Sequence, residues 1–209
     1  MADPGFDPTL PRCSWSSAAS GRPDPAMVRY HDEEWGTPCH DDVELFERLA
    51  LESFQAGLSW STILHKRDAF RSAFRGFDPA VVAAFEDADR ARLMADAAIV
   101  RNRAKIDATI GNAVAWLATG REFGSVDAYL AAMVRGAPLR LGADARPGDI
   151  PPRTDVSDAL SVDLRRRGFR FVGSTIVYAL MQSVGLVDDH LPVCFRYVGR
   201  GVDGGGAAS

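Results

Sequence analysis

Start and stop signals for helices recur along this chain and leave little room for a sheet. Asp41 stands at a cap position with Glu44 three residues on, a pairing that satisfies orphan amides at a helix start. Leu45, Phe46, Leu49 and Ala50 follow at helical spacing, so a helix is expected over 40–56, with Gly57 just past its end. Ser59 is placed to cap the next, over 59–74, with Trp60, Ile63, Leu64 and Phe74 inward. Asp78 and Pro79 form a cap and a first-turn proline that open 80–85. Further helices are expected over 87–97, over 125–134 behind Ser125, over 157–167 ending at Gly168, and over 173–184 ending at Gly185. The longest runs over 103–119, with Ile106, Ile110, Val114 and Leu117 on one stripe and Gly120 as its stop. No segment alternates for long as a strand does, and 136–154, rich in Pro, Gly and Asp, reads as a loop. The fold class is therefore all-α, with two helical subdomains around one cleft. Residues 12–200 are expected to form a single domain, behind a disordered leader over 1–11 and ahead of a loose tail over 201–209.

Composition narrows the class of function. With 209 residues, 46% hydrophobic and 25% charged, the chain can bury an ordinary globular core. It has no run of 18 apolar residues, which argues against a membrane span. A basic segment followed by an apolar one is missing at the start, so a cytoplasmic protein is expected. Three cysteines argue against a disulfide framework. The net charge of −4 does not by itself predict a nucleic-acid partner, but basic residues cluster at 66–67, 101–105 and 165–170. Such clusters are more often solvated helix faces than binding sites.

Three stretches carry chemistry. In LESFQAGLSW, 51–60, one acid, Glu52, sits among Leu51, Phe54, Ala56, Leu58 and Trp60. Glu52 and Gln55 share a helix face, and with the indole of Trp60 they suit a flat, polar-edged molecule such as a nucleobase. The alternative is an exposed Glu52 at a helix end and a Trp60 in the core. His190 and Cys194 form an H-x₃-C pair, and Cys13 and His31 lie near the other end. A Cys₂His₂ set satisfies tetrahedral zinc with no open position, so such a metal would be structural and would clip the two ends together. The 17 and 158 intervening residues match no generic zinc-finger spacing, and Cys39-His40 competes as a ligand pair. A catalytic zinc held by His31, His190 and a carboxylate is a further alternative. Finally, RRRGFRFVGST, 165–175, reads as a helical hairpin. Its second helix start, with Ser174 and Thr175 and the cations Arg166, Arg167 and Arg170, could grip a phosphate without reading sequence. It could equally be a plain hairpin with a basic surface.

Several stretches together resemble the 3-methyladenine DNA glycosylase I family of helix–hairpin–helix glycosylases. They are RCSW (12–15), YHDEEWG (30–36), LESFQAGLSW (51–60), FDP (77–79), IVRNRAKI (99–106), SDALS (157–161), RGFRFVGSTIVYALMQSVGLVDDH (167–190) and the closing pair His190 and Cys194. They fall in order and with similar gaps from about Arg12 to Gly199. The resemblance implies a helix–hairpin–helix glycosylase fold around a base-binding cleft, with a structural zinc ion held by Cys13, His31, His190 and Cys194. It implies Glu52 as the pocket carboxylate, Tyr30 and Trp60 as aromatic walls with Trp15 and Trp35 close by, and Gln55 beside Glu52. It implies Gly168, Arg170, Gly173, Ser174 and Thr175 as the DNA-gripping turn. The implied activity is extrusion and hydrolytic release of 3-methyladenine from alkylated double-stranded DNA by a monomeric enzyme, leaving an abasic site. The rival is a non-catalytic lesion binder with the same zinc. Glu52 would accept from the amino edge of the base and favour its positive charge rather than act as a base on water. Phe54 departs from the expected pattern, which puts the polarity of the pocket in question, and the leader is longer than expected. Asp188 and Asp189 fall where many members of the superfamily carry a catalytic aspartate, although here beside a metal ligand.

Overall fold

Helix α2 (Asp42–Gln55) lies at the centre of the computed structural model, with every residue from 45 to 54 buried. Residues 7, 9–17, 23–135 and 139–198 are described; most of the expected leader (1–6 and 8) and the whole tail over 201–209 lie outside them. Asp41 caps α2, accepting from the amides of Val43 and Glu44 at 3.0 and 2.9 Å. A helix covered on all sides has to accommodate its charges internally. Glu47 accepts from Arg67 at 2.5 Å and from Arg71 at 2.9 Å, and Arg67 also reaches Glu34 at 2.7 Å. Arg48 binds Glu44 and the carbonyl of Ser183.

The other helices are α1 (Pro25–Arg29), α3 (Trp60–Leu64), α4 (Arg67–Ala73), α5 (Pro79–Ala83), α6 (Asp87–Ala95), α7 (Arg103–Phe123), α8 (Val126–Val134), α9 (Asp155–Arg166) and α10 (Ser174–Ser183), of which α3, α7, α8 and α10 pack directly on α2. The main core gathers Phe46, Phe54, Phe70, Phe74, Phe77 and Trp116, with Phe74 and Phe77 stacked at 5.2 Å. A smaller cluster holds Cys13, Met27, Tyr30, Trp35, Leu64, Leu191 and Cys194. No helix among the described residues is long and apolar enough to cross a membrane.

The structure departs from the sequence-based expectations in four places. The helix expected over 59–74 is broken at His65 and Lys66, which turns Arg67 into its buried ion pairs. Helix α7 continues through Gly120 to Phe123 and stops at Gly124. Its buried face includes Lys105, Asn112 and Thr119, whereas Val114, expected inward, is 54% exposed. Within the expected loop, β1 (Leu139–Arg140) pairs in parallel with β2 (Val187–Asp188), too short to carry an alternating pattern.

The stop after α10 is sterically exacting. Gly185 has φ +73°, and a Cβ there would lie 2.5 Å from the carbonyl carbon of Thr37 and closer still to the nitrogen of Pro38. These are backbone atoms and cannot swing aside as a flexible side-chain tip can. Gly185→Ala is expected to cost about 3 kcal/mol or more, as strained φ and overpacking add. A urea melt with an unchanged midpoint would refute this.

Candidate active site

The C-terminal half of α2, the 30–34 turn and α3 converge on a cavity of about 300 Å³. Trp15, Met27, Tyr30, Trp35, Glu52, Gln55, Trp60, Ile150, Ala179 and Gln182 line it. All six residues expected at the base pocket therefore meet around one hollow. Tyr30 packs on Trp60 at 5.0 Å and Trp15 on Trp35 at 4.9 Å between ring centroids. Ser59 opens α3 by accepting from the amide of Thr62 at 3.2 Å, which fixes Trp60 at the helix mouth. The C-terminal end of α2 is held by Lys105, whose buried amine donates to the carbonyls of Phe54 and Ala56 at 2.8 and 2.6 Å. These are carbonyls a helix leaves orphaned at its end, so Lys105 steadies the turn that carries Glu52 and Gln55. Phe54 points away into the core against Phe70 and does not line the pocket.

Glu52 is 3% exposed. Burial among aromatic rings pushes its carboxyl up to about 8, against the opposing pull of the Arg48 guanidinium. A carboxyl raised that far favours its protonated form in the free protein at neutral pH. Among the described residues its Oε2 has no hydrogen-bond partner, and neither have the buried indole nitrogens of Trp15 and Trp60. Three side chains that line this apolar cavity thus each hold a buried polar atom that lacks a bond.

Behind this wall lie the expected metal ligands. The ligand atoms of Cys13, His31 and Cys194 fall within 4.8 Å of one another, all buried. His190 is outside that tight set, yet its ring lies 5.0 Å from that of His31, and its buried Nε2 has no partner among the described residues. Each histidine is oriented through its other nitrogen, His31 Nδ1 to Asp32 at 2.7 Å and His190 Nδ1 to Asp188 at 2.7 Å. That carboxylate–histidine arrangement turns Nε2 toward a cation. The neighbouring Cys13 thiol and the His31 ring draw Cys194 down to about 4, while Cys13 is driven up by sharing its hydrogen bond with Cys194 and by burial. Two thiols and two Nε2 atoms are the donor set zinc takes, so the residues present fit the ion. Cys39 and His40 lie apart from this cluster, His40 against Asp127. Trp35 packs on His190 at 4.7 Å, so the pocket wall and the cluster are one packed unit.

The hairpin between α9 and α10 is fastened from inside. Asn112 donates to the carbonyl of Arg170 at 3.0 Å and accepts from its amide at 2.8 Å. Ser53, next to Glu52, donates to the carbonyl of Phe171 at 3.2 Å, and Ser161 to that of Val172 at 2.6 Å. A Cβ at Gly168 would meet nothing within 4 Å, so this edge faces open space. Gly173 heads α10 with no side-chain cap among the described residues, and the first amides of a helix without a cap are the kind that bind an anion. Ser174 is partly engaged with Ser157 at 2.8 Å, while Thr175 and Arg170 are exposed. Arg166 and Arg167, expected as free cations, are tied to Asp163, and Arg167 also to Glu122 at 2.7 Å. Sequence reading assigned no role to Lys105, Asn112, Met27, Ile150, Ala179 or Gln182. Gln182 carried a faint signal, as an amide in the apolar run ALMQSVGLV.

Comparison with known proteins places this geometry. The family model described as methyladenine glycosylase matches residues 19–197. The chain is 45% identical over 191 residues to DNA-3-methyladenine glycosylase 1 of Escherichia coli K12, covering 91% of this chain and 99% of that protein. It is 42% identical over 184 residues to the DNA-3-methyladenine glycosylase of Haemophilus influenzae, covering 88% and 96%. A crystal structure of 3-methyladenine DNA glycosylase I superposes with a TM-score of 0.84 at 45% identity over 90% of this chain and all of that one. The Staphylococcus aureus 3-methyladenine DNA glycosylase I, solved for its recognition of 3-methyladenine, superposes with 0.81 at 38% identity over 87% and 96%. On this agreement of sequence, fold and pocket, the chain belongs to the methyladenine glycosylase family.

Proposed function

We infer that this chain removes 3-methyladenine from alkylated double-stranded DNA by hydrolysing the N-glycosidic bond, leaving an abasic site. The observation that carries the reading is the apolar, aromatic cavity lined by Glu52, Trp15 and Trp60, whose buried Oε2 and indole nitrogens have no partner among the described residues. A purine supplies both the flat faces and the polar edge this cavity lacks. Reaching the cavity requires the nucleotide to leave the stack, at a cost of a few kcal/mol that is smaller for a damaged base.

Methylation at N3 makes the base cationic and weakens its bond to the sugar. Tyr30 and Trp60 favour that cation by stacking and cation–π attraction, about 1–3 kcal/mol. Glu52 gives up its proton as the cation enters, and its carboxylate then accepts from the amino edge. When the bond from the sugar C1′ to the base breaks, its electron pair goes to the ring and cancels the charge, so the base departs neutral without a proton from the protein. Water forms the new bond to C1′ and loses one proton to solvent. The exposed Gly168 edge, the first amides of α10 and the cation of Arg170 hold the DNA backbone.

A structural zinc held by Cys13, His31, His190 and Cys194 belongs to the same reading. It supplies cross-linking of the chain behind the pocket and no reacting group. The unpartnered Nε2 of His190 supports it.

Chromatography of free bases released from methylated duplex DNA tests the assignment. Release of 3-methyladenine with 7-methylguanine retained on the DNA is the expected result. No release from folded, metal-loaded protein would leave a lesion binder in place of an enzyme.

A further inference from the structure

Ala179 and Gln182 bring α10 into the pocket wall. Tyr178 and Gln182, one turn apart on that helix, both donate to one oxygen of buried Asp189. The Tyr178 hydroxyl lies 2.7 Å from it and Gln182 Nε2 2.7 Å. That oxygen is the acceptor for both side chains. The amide therefore cannot turn over without setting its carbonyl against that oxygen. Nε2 is held toward Asp189, and the opposite end of the amide, Oε1, has no partner among the described residues. The main chain is pinned as well, since Gln182 O accepts from the amide of Gly36 at 2.8 Å.

We propose that Gln182, held in this orientation by Asp189, is a specificity-determining residue that offers the pocket an acceptor and no donor. Asp189 is its positioning residue. The proposal deepens the glycosylase reading above and rests on it. An acceptor at that place selects a purine that presents an amino group over one that presents a carbonyl. 3-Methyladenine carries an amino group on C6, where 3-methylguanine carries an oxygen. Against Gln182 Oε1 the guanine edge forfeits a hydrogen bond and sets lone pair against lone pair, the kind of mismatch that lets a polar pocket discriminate strongly.

Duplex DNA bearing both 3-methyladenine and 3-methylguanine is the probe, and the ratio of the two released bases is the readout. Gln182→Met keeps the length of the side chain and removes the acceptor. It is expected to lower kcat/KM for 3-methyladenine about 10-fold and to raise the share of 3-methylguanine by a similar factor. Asp189→Asn retains an acceptor oxygen and is expected to keep the wild-type ratio. Asp189→Leu removes it and is expected to shift the ratio as Gln182→Met does. Should Asp189→Leu fail to fold, the ratio for Gln182→Met decides alone. An unchanged ratio in folded Gln182→Met overturns the proposal while leaving the glycosylase reading intact. No release of either base by the wild-type protein overturns both.

Discussion

Glu52→Gln is expected to slow release of 3-methyladenine by about 100-fold, the cost typical of losing one electrostatic contact to a reacting group, while the protein stays folded. The expectation follows from where the carboxyl sits. It is buried, one of its oxygens is unpartnered, and its pKa is raised to about 8. At neutral pH the free protein therefore carries the neutral acid, which an amide imitates closely. The difference emerges only when a cationic base enters and the acid ionises, which glutamine cannot do. Wild-type binding should thus release about one proton at pH 7, measurable by calorimetry in buffers of different ionisation enthalpy. The variant should release none. Wild-type turnover by the variant would remove Glu52 from the mechanism.

The same shift fixes the sign of a stability effect. In the unfolded chain the glutamate has an ordinary pKa of about 4.3. Between that value and about 8 the folded state holds a proton that the unfolded state has lost. The stabilisation is complete below the lower value, falls as pH rises through the window, and is gone above the upper one. Glu52→Gln lacks this dependence. Its thermal midpoint, compared with wild type, should gain steadily from acid to mildly alkaline pH. A constant difference across that range would mean that Glu52 ionises freely in the folded protein.

The second large effect concerns the cluster of Cys13, His31, His190 and Cys194. Chelation is expected to lower the thermal midpoint by more than about 10 °C, since a structural zinc contributes its binding free energy to folding. Cys13 and Cys194 are both buried. They should react with a thiol reagent only after the chelator has acted, and about one equivalent of zinc should be released. Loss of activity at an unchanged midpoint would instead indicate a metal with an open position. A metal-free preparation as stable as any other would end the zinc reading.

Much of this architecture was legible in the sequence because it is written in local chemistry. Caps at Asp41, Ser59, Asp78 and Ser125 each bind the amides expected of them. What the sequence hid depends on partners distant along the chain. Gly120 reads as a stop, yet α7 passes through it because packing outweighs a propensity cost of about 1 kcal/mol. Arg67 and Lys105 read as surface charge and are buried, because Glu34, Glu47 and two carbonyl groups at the end of α2 meet them there. The aromatic pocket residues were visible as residue types, since few other duties gather tryptophans around one acid. Gln182 was not, because its significance lies in the carboxyl of Asp189 beside it.

Glu52 and Ser53 are adjacent on one buried helix, one lining the cavity and the other bonded to the hairpin carbonyl of Phe171. That adjacency makes α2 a ruler. With the hairpin as the proposed grip on the DNA backbone, the span from it to the cavity is set by α2 before any duplex arrives. A nucleotide must cover the whole distance by leaving its own stack. The work of the search then falls on the DNA, and a nucleotide whose stacking is already weakened makes the journey soonest.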